Sequence, residues 1–318
     1  MKKTLLSLAL ATACAAGAFA SPLALPSGPL YFQFTNLEQT ALGVNANGAP
    51  LNNTDNCPLC SHTPEGNWGV AQISVMRAGA FNPTGATAGQ LGNDIVNMGT
   101  TPFFSDQLFP VLGGEITAMF HGSVITSNVK SGSTNTLQST GGFIDLYWDE
   151  PGLAGGGSIV NINTLLPSGR CGDACFTGIT DGIFLGRLAF ASGINPLAPT
   201  TFLQGTIDTS KVGDAGSADS YANVVDVNGD GKVDSADGLW AGQLNTDWFG
   251  TVFGTRDVRF SNHIVNNPAW NSAAVADNGI FGQTSNDPGR GVVSEPGSLA
   301  LAGLGLLGLL GLRRRQRT

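Results

Sequence analysis

The 318-residue chain carries 23 acids against 15 bases. Six of those bases lie in the terminal segments, as Lys2, Lys3, Arg313, Arg314, Arg315 and Arg317, so nine bases face 23 acids elsewhere, a net of −14. Such a surface excludes nucleic acid and anionic lipid headgroups as partners and suits divalent cations, while 45 glycines and only 12% charged residues favour short strands joined by many turns.

The chain opens with "MKKTLLSLALATACAAGAFA". Lys2 and Lys3 are a basic n-region, Leu5–Ala16 an apolar core, and Ala18-Phe19-Ala20 a small-x-small cleavage site. This predicts an export signal over residues 1–20. Cys14 leaves lipoprotein processing as an alternative. A body of residues 21–290 and a tail of residues 291–318 follow.

Runs of apolar residues recur through the body between Gly, Asn, Asp and Pro. Those at 30–37, 68–79, 115–127, 142–149, 158–166, 182–193 and 201–208 read as strands. In Phe143–Trp148 the alternation has period two, with Phe143, Asp145 and Tyr147 on one face and Ile144, Leu146 and Trp148 on the other. The expected fold is mainly β, an antiparallel β-sandwich with a short calcium-loop and helix insertion and a C-terminal hydrophobic helix.

Four cysteines remain in the exported part, in two close pairs, Cys57/Cys60 and Cys171/Cys175. An even count in an exported chain reads as disulfides. Three connectivities are open, and the two local pairs are favoured because each lies in a Pro- or Gly-bearing turn. A four-cysteine zinc site is the alternative, although the spacing between the pairs is far longer than in a zinc ribbon. A redox role for the CxxC pair lacks the βαβ pattern it needs.

The most specific chemical motif is "DVNGDGKVDSAD", Asp226–Asp237. Asp226, Asn228 and Asp230 stand at positions 1, 3 and 5 of a twelve-residue loop, Gly231 at the sharp turn, Lys232 where a carbonyl ligates, and Asp234 and Asp237 at positions 9 and 12. Calcium takes six to eight hard oxygens, which calls for this density of acids on alternating positions. The motif resembles an EF-hand loop and, with Asp at position 12, more closely a dockerin loop. A dockerin has two such loops and only one is visible here, so the resemblance implies Ca²⁺ and not the docking function. A short helix is expected after it, with Leu239, Trp240, Gln243 and Leu244 on one side.

The tail reads Ser294-Glu295-Pro296, then Leu299–Leu312 without a charge, then Arg313, Arg314, Arg315 and Arg317. At about 1.5 Å per residue the apolar helix is roughly 21 Å long, and it spans a bilayer that thins while the arginines snorkel. The arginines then face the cytoplasm. A Pro-containing motif, an apolar helix and a terminal Arg cluster resemble the PEP-CTERM sorting signal, with Ser294 where the family usually has Pro. The resemblance implies a Gram-negative host that makes exopolysaccharide, an inner-membrane intermediate, processing by an exosortase and a destination at the cell surface or in the extracellular matrix. The stretches at 65–73, 113–122 and 142–150 resemble exported PEP-CTERM proteins linked to flocculation. They imply a non-enzymatic role in biofilm or floc formation.

The alternative is a secreted carbohydrate-binding module or carbohydrate-active enzyme. Trp148, Trp240, Trp248 and Trp270 stack on sugars if exposed and fill the core if not. The histidines His62, His121 and His263 stand apart, with no G-x-S-x-G or H-E-x-x-H context. Asp145 and Asp149 share a strand face but lie roughly 13 Å apart, too far for a glycosidase pair. No catalytic residue is expected.

Overall fold

The computed structural model describes residues 25–54, 65–82, 87–90, 94–105, 114–165, 178–271 and 279–294. Among these are twelve strands: β1 (Gly28–Ala41), β2 (Asn67–Asn82), β3 (Asp94–Ser105), β4 (Glu115–Ser131), β5 (Thr134–Asp149), β6 (Ile183–Ala191), β7 (Leu203–Asp208), β8 (Asp214–Val224), β9 (Phe249–Thr251), β10 (Gly254–Arg256), β11 (Val258–Asn266) and β12 (Ile280–Val293). Every pairing is antiparallel. The chain is mainly β, as its alternation predicts.

The main sheet is closed, which corrects the expected sandwich. Its order runs β1-β12-β11-β8-β6-β5-β4-β2, and β2 pairs back onto β1. Two positions in the ring are filled by successive strands. The start of β5 pairs β7 and its end pairs β6, while β2 pairs β4 through residues 67–72 and β3 through residues 75–82. Closure removes the unpaired edges that a sandwich leaves to be covered.

Alternation along β1 turns Phe34, Asn36, Glu38 and Thr40 into the barrel lumen. Large aromatic side chains fill much of that space. Phe32 and Phe34 meet edge to face with centroids 5.3 Å apart, Phe260 lies 6.0 Å from both, and Phe190 bridges Phe260 to Phe120. Such pairs contribute about 0.5–1.5 kcal/mol each beyond area burial. Gly289 lies opposite Phe32 across the β1–β12 ladder, and a Cβ there would meet the Phe32 ring. The glycine gives the ring its room.

The outer face is partly roofed. Leu37, Trp68, Val70 and Met119 point outward and are covered by Ile162, Ile179 and Trp270. This accounts for a second correction: residues 158–165, the described part of the expected strand 158–166, form no strand. They are irregular chain with a 3-10 turn at Ile162–Thr164, and their apolar residues pack down onto the barrel without pairing. Near the loop that follows β8, the expected helix is one turn, Ala241–Leu244, preceded by a 3-10 turn at Ser235–Asp237. No helix among the described residues is long and apolar enough to cross a membrane. The segment Leu299–Leu312, the arginine cluster, the export signal and all four exported cysteines lie outside the described residues.

Candidate functional site

The loop Asp226–Asp237 follows β8 and is described throughout. Its side chains cap its own backbone. The Asp226 carboxylate accepts from the amides of Gly229 at 2.6 Å and Gly231 at 2.7 Å. Asn228 Oδ1 accepts from Asp230, Asp230 from Lys232, and Asp234 from Ala236. Asp237 is buried and accepts from Asn228, Asp234 and Val227, which hold its carboxyl below the ordinary carboxylate range. Gly231 has φ +86°, the left-handed turn that the motif reserves for glycine. Val233 packs on the core, and the Trp240 amide donates to Leu185 of β6, so the loop is fastened to the barrel.

The loop is thus a chain of self-capped turns. Its donors are hard oxygens with lone pairs left over: four carboxylates, the Asn228 amide oxygen and the Lys232 carbonyl. They suit calcium by chemistry. Among the described residues, however, no three His, Cys, Asp or Glu side chains converge as a metal-holding group. Each acid is turned to a nearby amide instead.

The remaining sequence candidates separate. Trp148, Trp240, Trp248 and Trp270 are all buried and offer no platform to a sugar. His263 meets Asp214 at 2.9 Å, far along the chain from His121, and His62 lies outside the described residues. Asp145 and Asp149 have different partners. Asp145 is gripped by Arg187 through two bonds of 2.6 Å, with His121 Nε2 at 3.2 Å. Burial pushes the Asp145 carboxyl up, but Arg187 and His121 outweigh it and hold it below the ordinary range.

Asp149 instead lies directly opposite Glu115 across the β4–β5 ladder. Both are buried. Thr117 Oγ1 donates to Asp149 at 2.6 Å, while the Val160 amide and the Gln72 side chain donate to Glu115. Burial pushes both carboxyls up to about 7, with Asp181 adding to each and Glu115 adding to Asp149. Sequence spacing along one strand missed this pair, because its members come from neighbouring strands. It fastens the irregular segment after β5 to the barrel.

A second group was also missed. Inside the lumen Glu38 accepts from Asn36 and, at 2.6 Å, from Gln283. Asn36 Oδ1 in turn accepts the Ser285 amide at 2.7 Å. Polar residues at alternate positions of β1 and β12 are the only trace of this in the sequence.

The C-terminal end of the body is firmly placed. Val292 and Val293 end β12 and are buried. Gly28, at the start of β1, pairs with Val293. Ser294 follows, and its amide donates to the Gln243 carbonyl at 2.9 Å. The Gln243 side chain accepts the Leu25 amide at 3.3 Å. Glu295 and Pro296 lie outside the described residues.

No curated protein and no solved structure matches the chain. Residues 292–315 match the PEP-CTERM protein-sorting motif. The match begins within β12 and takes in Ser294, Glu295, Pro296, the apolar segment and three of the four tail arginines. The motif implies export, a membrane-anchored tail before processing, and an exosortase as the processing partner.

Proposed function

We propose that the chain is a surface or matrix protein whose barrel acts outside a Gram-negative cell by binding rather than by catalysis. The observation that carries this reading is the sorting motif, joined without a long linker to a buried strand. The signal peptide delivers the body across the inner membrane, the tail holds it there, and the exosortase separates the two. The body then associates with exopolysaccharide and contributes to biofilm or floc structure. An acidic, salt-poor body suits a polysaccharide-rich setting in which divalent cations bridge like charges.

The loop Asp226–Asp237 takes calcium in this setting. Asp226, Asn228, Asp230, Asp234, Asp237 and the Lys232 carbonyl hold the ion once their side chains draw together. Calcium then offsets the repulsion among four carboxylates. The cysteines Cys57, Cys60, Cys171 and Cys175 are held as disulfides.

The test is deletion of the gene in its host, with matrix architecture scored beside cosedimentation of the purified protein with host exopolysaccharide. Altered flocs or biofilm together with cosedimentation are expected. Unchanged architecture and no cosedimentation would contradict the matrix reading. Polysaccharide hydrolysis lost on Asp substitution would replace it with an enzymatic one.

A further inference from the structure

The barrel lumen contains a cavity of about 60 Å³. Four oxygens on its wall have no hydrogen-bond partner: Thr40 Oγ1, Asn67 Oδ1, Asn262 Oδ1 and Gln283 Oε1. They come from the adjoining strands β2, β1, β12 and β11, and Thr40, Asn67 and Gln283 are each no more than 6% exposed. A buried polar atom left unpaired costs about 1–3 kcal/mol, so four on one cavity call for an occupant. All four can accept, and the three amide oxygens can do nothing else. The occupant must donate.

Glu38 stands among them. Thr40 pairs with Asn67 across β1–β2, and Glu38 pairs with Gln283 across β1–β12. The groups acting on the Glu38 carboxyl are the side-chain amides of Gln283, Asn67 and Asn36, and burial pushes it up to about 7. No described salt bridge reaches it. A buried carboxylate without a counter-cation is expensive, and a cation brought to it recovers much of that penalty. Asn36, Ser139 and Ser220 also line the wall, and much of the remainder is apolar, including Phe34, Phe120, Phe190 and Phe260.

We propose that the lumen is a binding site for a small primary ammonium compound. Its –NH₃⁺ group sits beside Glu38 and donates to Thr40, Asn67 and Gln283, and its short alkyl chain lies against the phenylalanines. An ammonium has three donors and no acceptor, which suits a wall whose unpaired amide oxygens can only accept. Aromatic faces favour a desolvated cation. A calcium ion fits less well, since it prefers several carboxylates and only one lines this wall. A sugar ring brings acceptors of its own and exceeds a cavity that holds a handful of heavy atoms. The net charge of the body draws cations toward the barrel.

Isothermal titration and thermal melting of the full chain with n-propylammonium, n-propanol and potassium chloride test this. Propylammonium should bind and raise the melting midpoint at millimolar concentration, with propanol about tenfold weaker or more and potassium without effect. Thr40→Val removes one acceptor at nearly constant volume and should weaken propylammonium about fivefold, on the scale of one hydrogen bond. Glu38→Gln should weaken it further, while Thr126→Val on the exposed part of β4 should not. Should Glu38→Gln fail to melt cooperatively, Thr40→Val decides alone. No heat and no shift at tens of millimolar propylammonium would show a lumen that holds only water and overturn the proposal. Equal binding of propanol, or binding undiminished in Thr40→Val, would overturn it as well.

Discussion

Gln243 and Ser294 join the segment after the Asp226–Asp237 loop to the sorting tail: the Gln243 carbonyl accepts the Ser294 amide at 2.9 Å. The same residue's side chain accepts Leu25, so one short helix holds the chain where it enters β1 and where it leaves β12. The sorting motif is thus anchored at its first residues. Limited proteolysis of the exported protein should trim the tail no further than Val293, whereas Gln243→Pro, which disrupts the helix, should expose cleavage sites within β12.

Gly289→Ala is expected to destabilise the barrel by about 1–3 kcal/mol, since the new methyl meets the Phe32 ring in a filled lumen. Gly213→Ala, where a Cβ meets nothing within 4 Å, should be near neutral. Denaturant melts of the two variants check the contrast. Equal effects would remove Phe32 packing as the reason for Gly289.

The barrel's strands β1, β2, β4, β5, β6 and β7 are legible because apolar residues recur at period two between turn residues. Closure is not, since it depends on β1 finding both β2 and β12, and β12 reads as a loop. Its sequence "IFGQTSNDPGRGVV" is rich in Gly, Asn, Asp and Pro. Gly289 is needed there to admit Phe32, and Gln283 and Ser285 face the lumen rather than solvent. Polar strand residues buried inside a ring carry the same sequence signal as exposed ones. In the loop Asp226–Asp237 the turns are local, each side chain reaching a backbone amide two to ten residues away, whereas its acids do not converge on one point.

Stability should fall as the pH rises toward 8. Glu38 and Glu115 move from an ordinary 4.5, and Asp149 from 3.8, to about 7 on folding. Between these values the folded chain binds more protons than the unfolded one, so their contribution is full at low pH and lost as pH rises through 7. Asp145 and Asp237 are lowered, so theirs is lost as pH drops below about 4. The melting midpoint should be highest in the window between, several degrees above its value at pH 8. Glu38→Gln should shrink that difference, by an amount on the order of 1 kcal/mol. A midpoint flat from pH 5 to 8 would contradict the burial of these carboxyls.

Chelation should lower the melting midpoint, and millimolar calcium should restore it. A single loop closed by Asp suggests a dissociation constant on the order of 10⁻⁴ M. At a hundredfold excess over that constant the gain is about 2.7 kcal/mol. Asp226→Ala or Asp230→Ala should abolish the effect. Identical melts in chelator and calcium would leave the loop as a self-capped turn.

Non-reducing peptide mapping should find no free thiol among Cys57, Cys60, Cys171 and Cys175. Stoichiometric zinc with four reactive thiols would replace the disulfide reading.

The central claim is that the tail is a processing signal and the barrel the part that remains. Intact-mass measurement of the protein extracted from the surface of wild-type host cells tests it most directly. A mass ending near Pro296, with the apolar segment and arginines gone, is the expected result. A mass that runs through to Thr318 in cells with an active exosortase would contradict it.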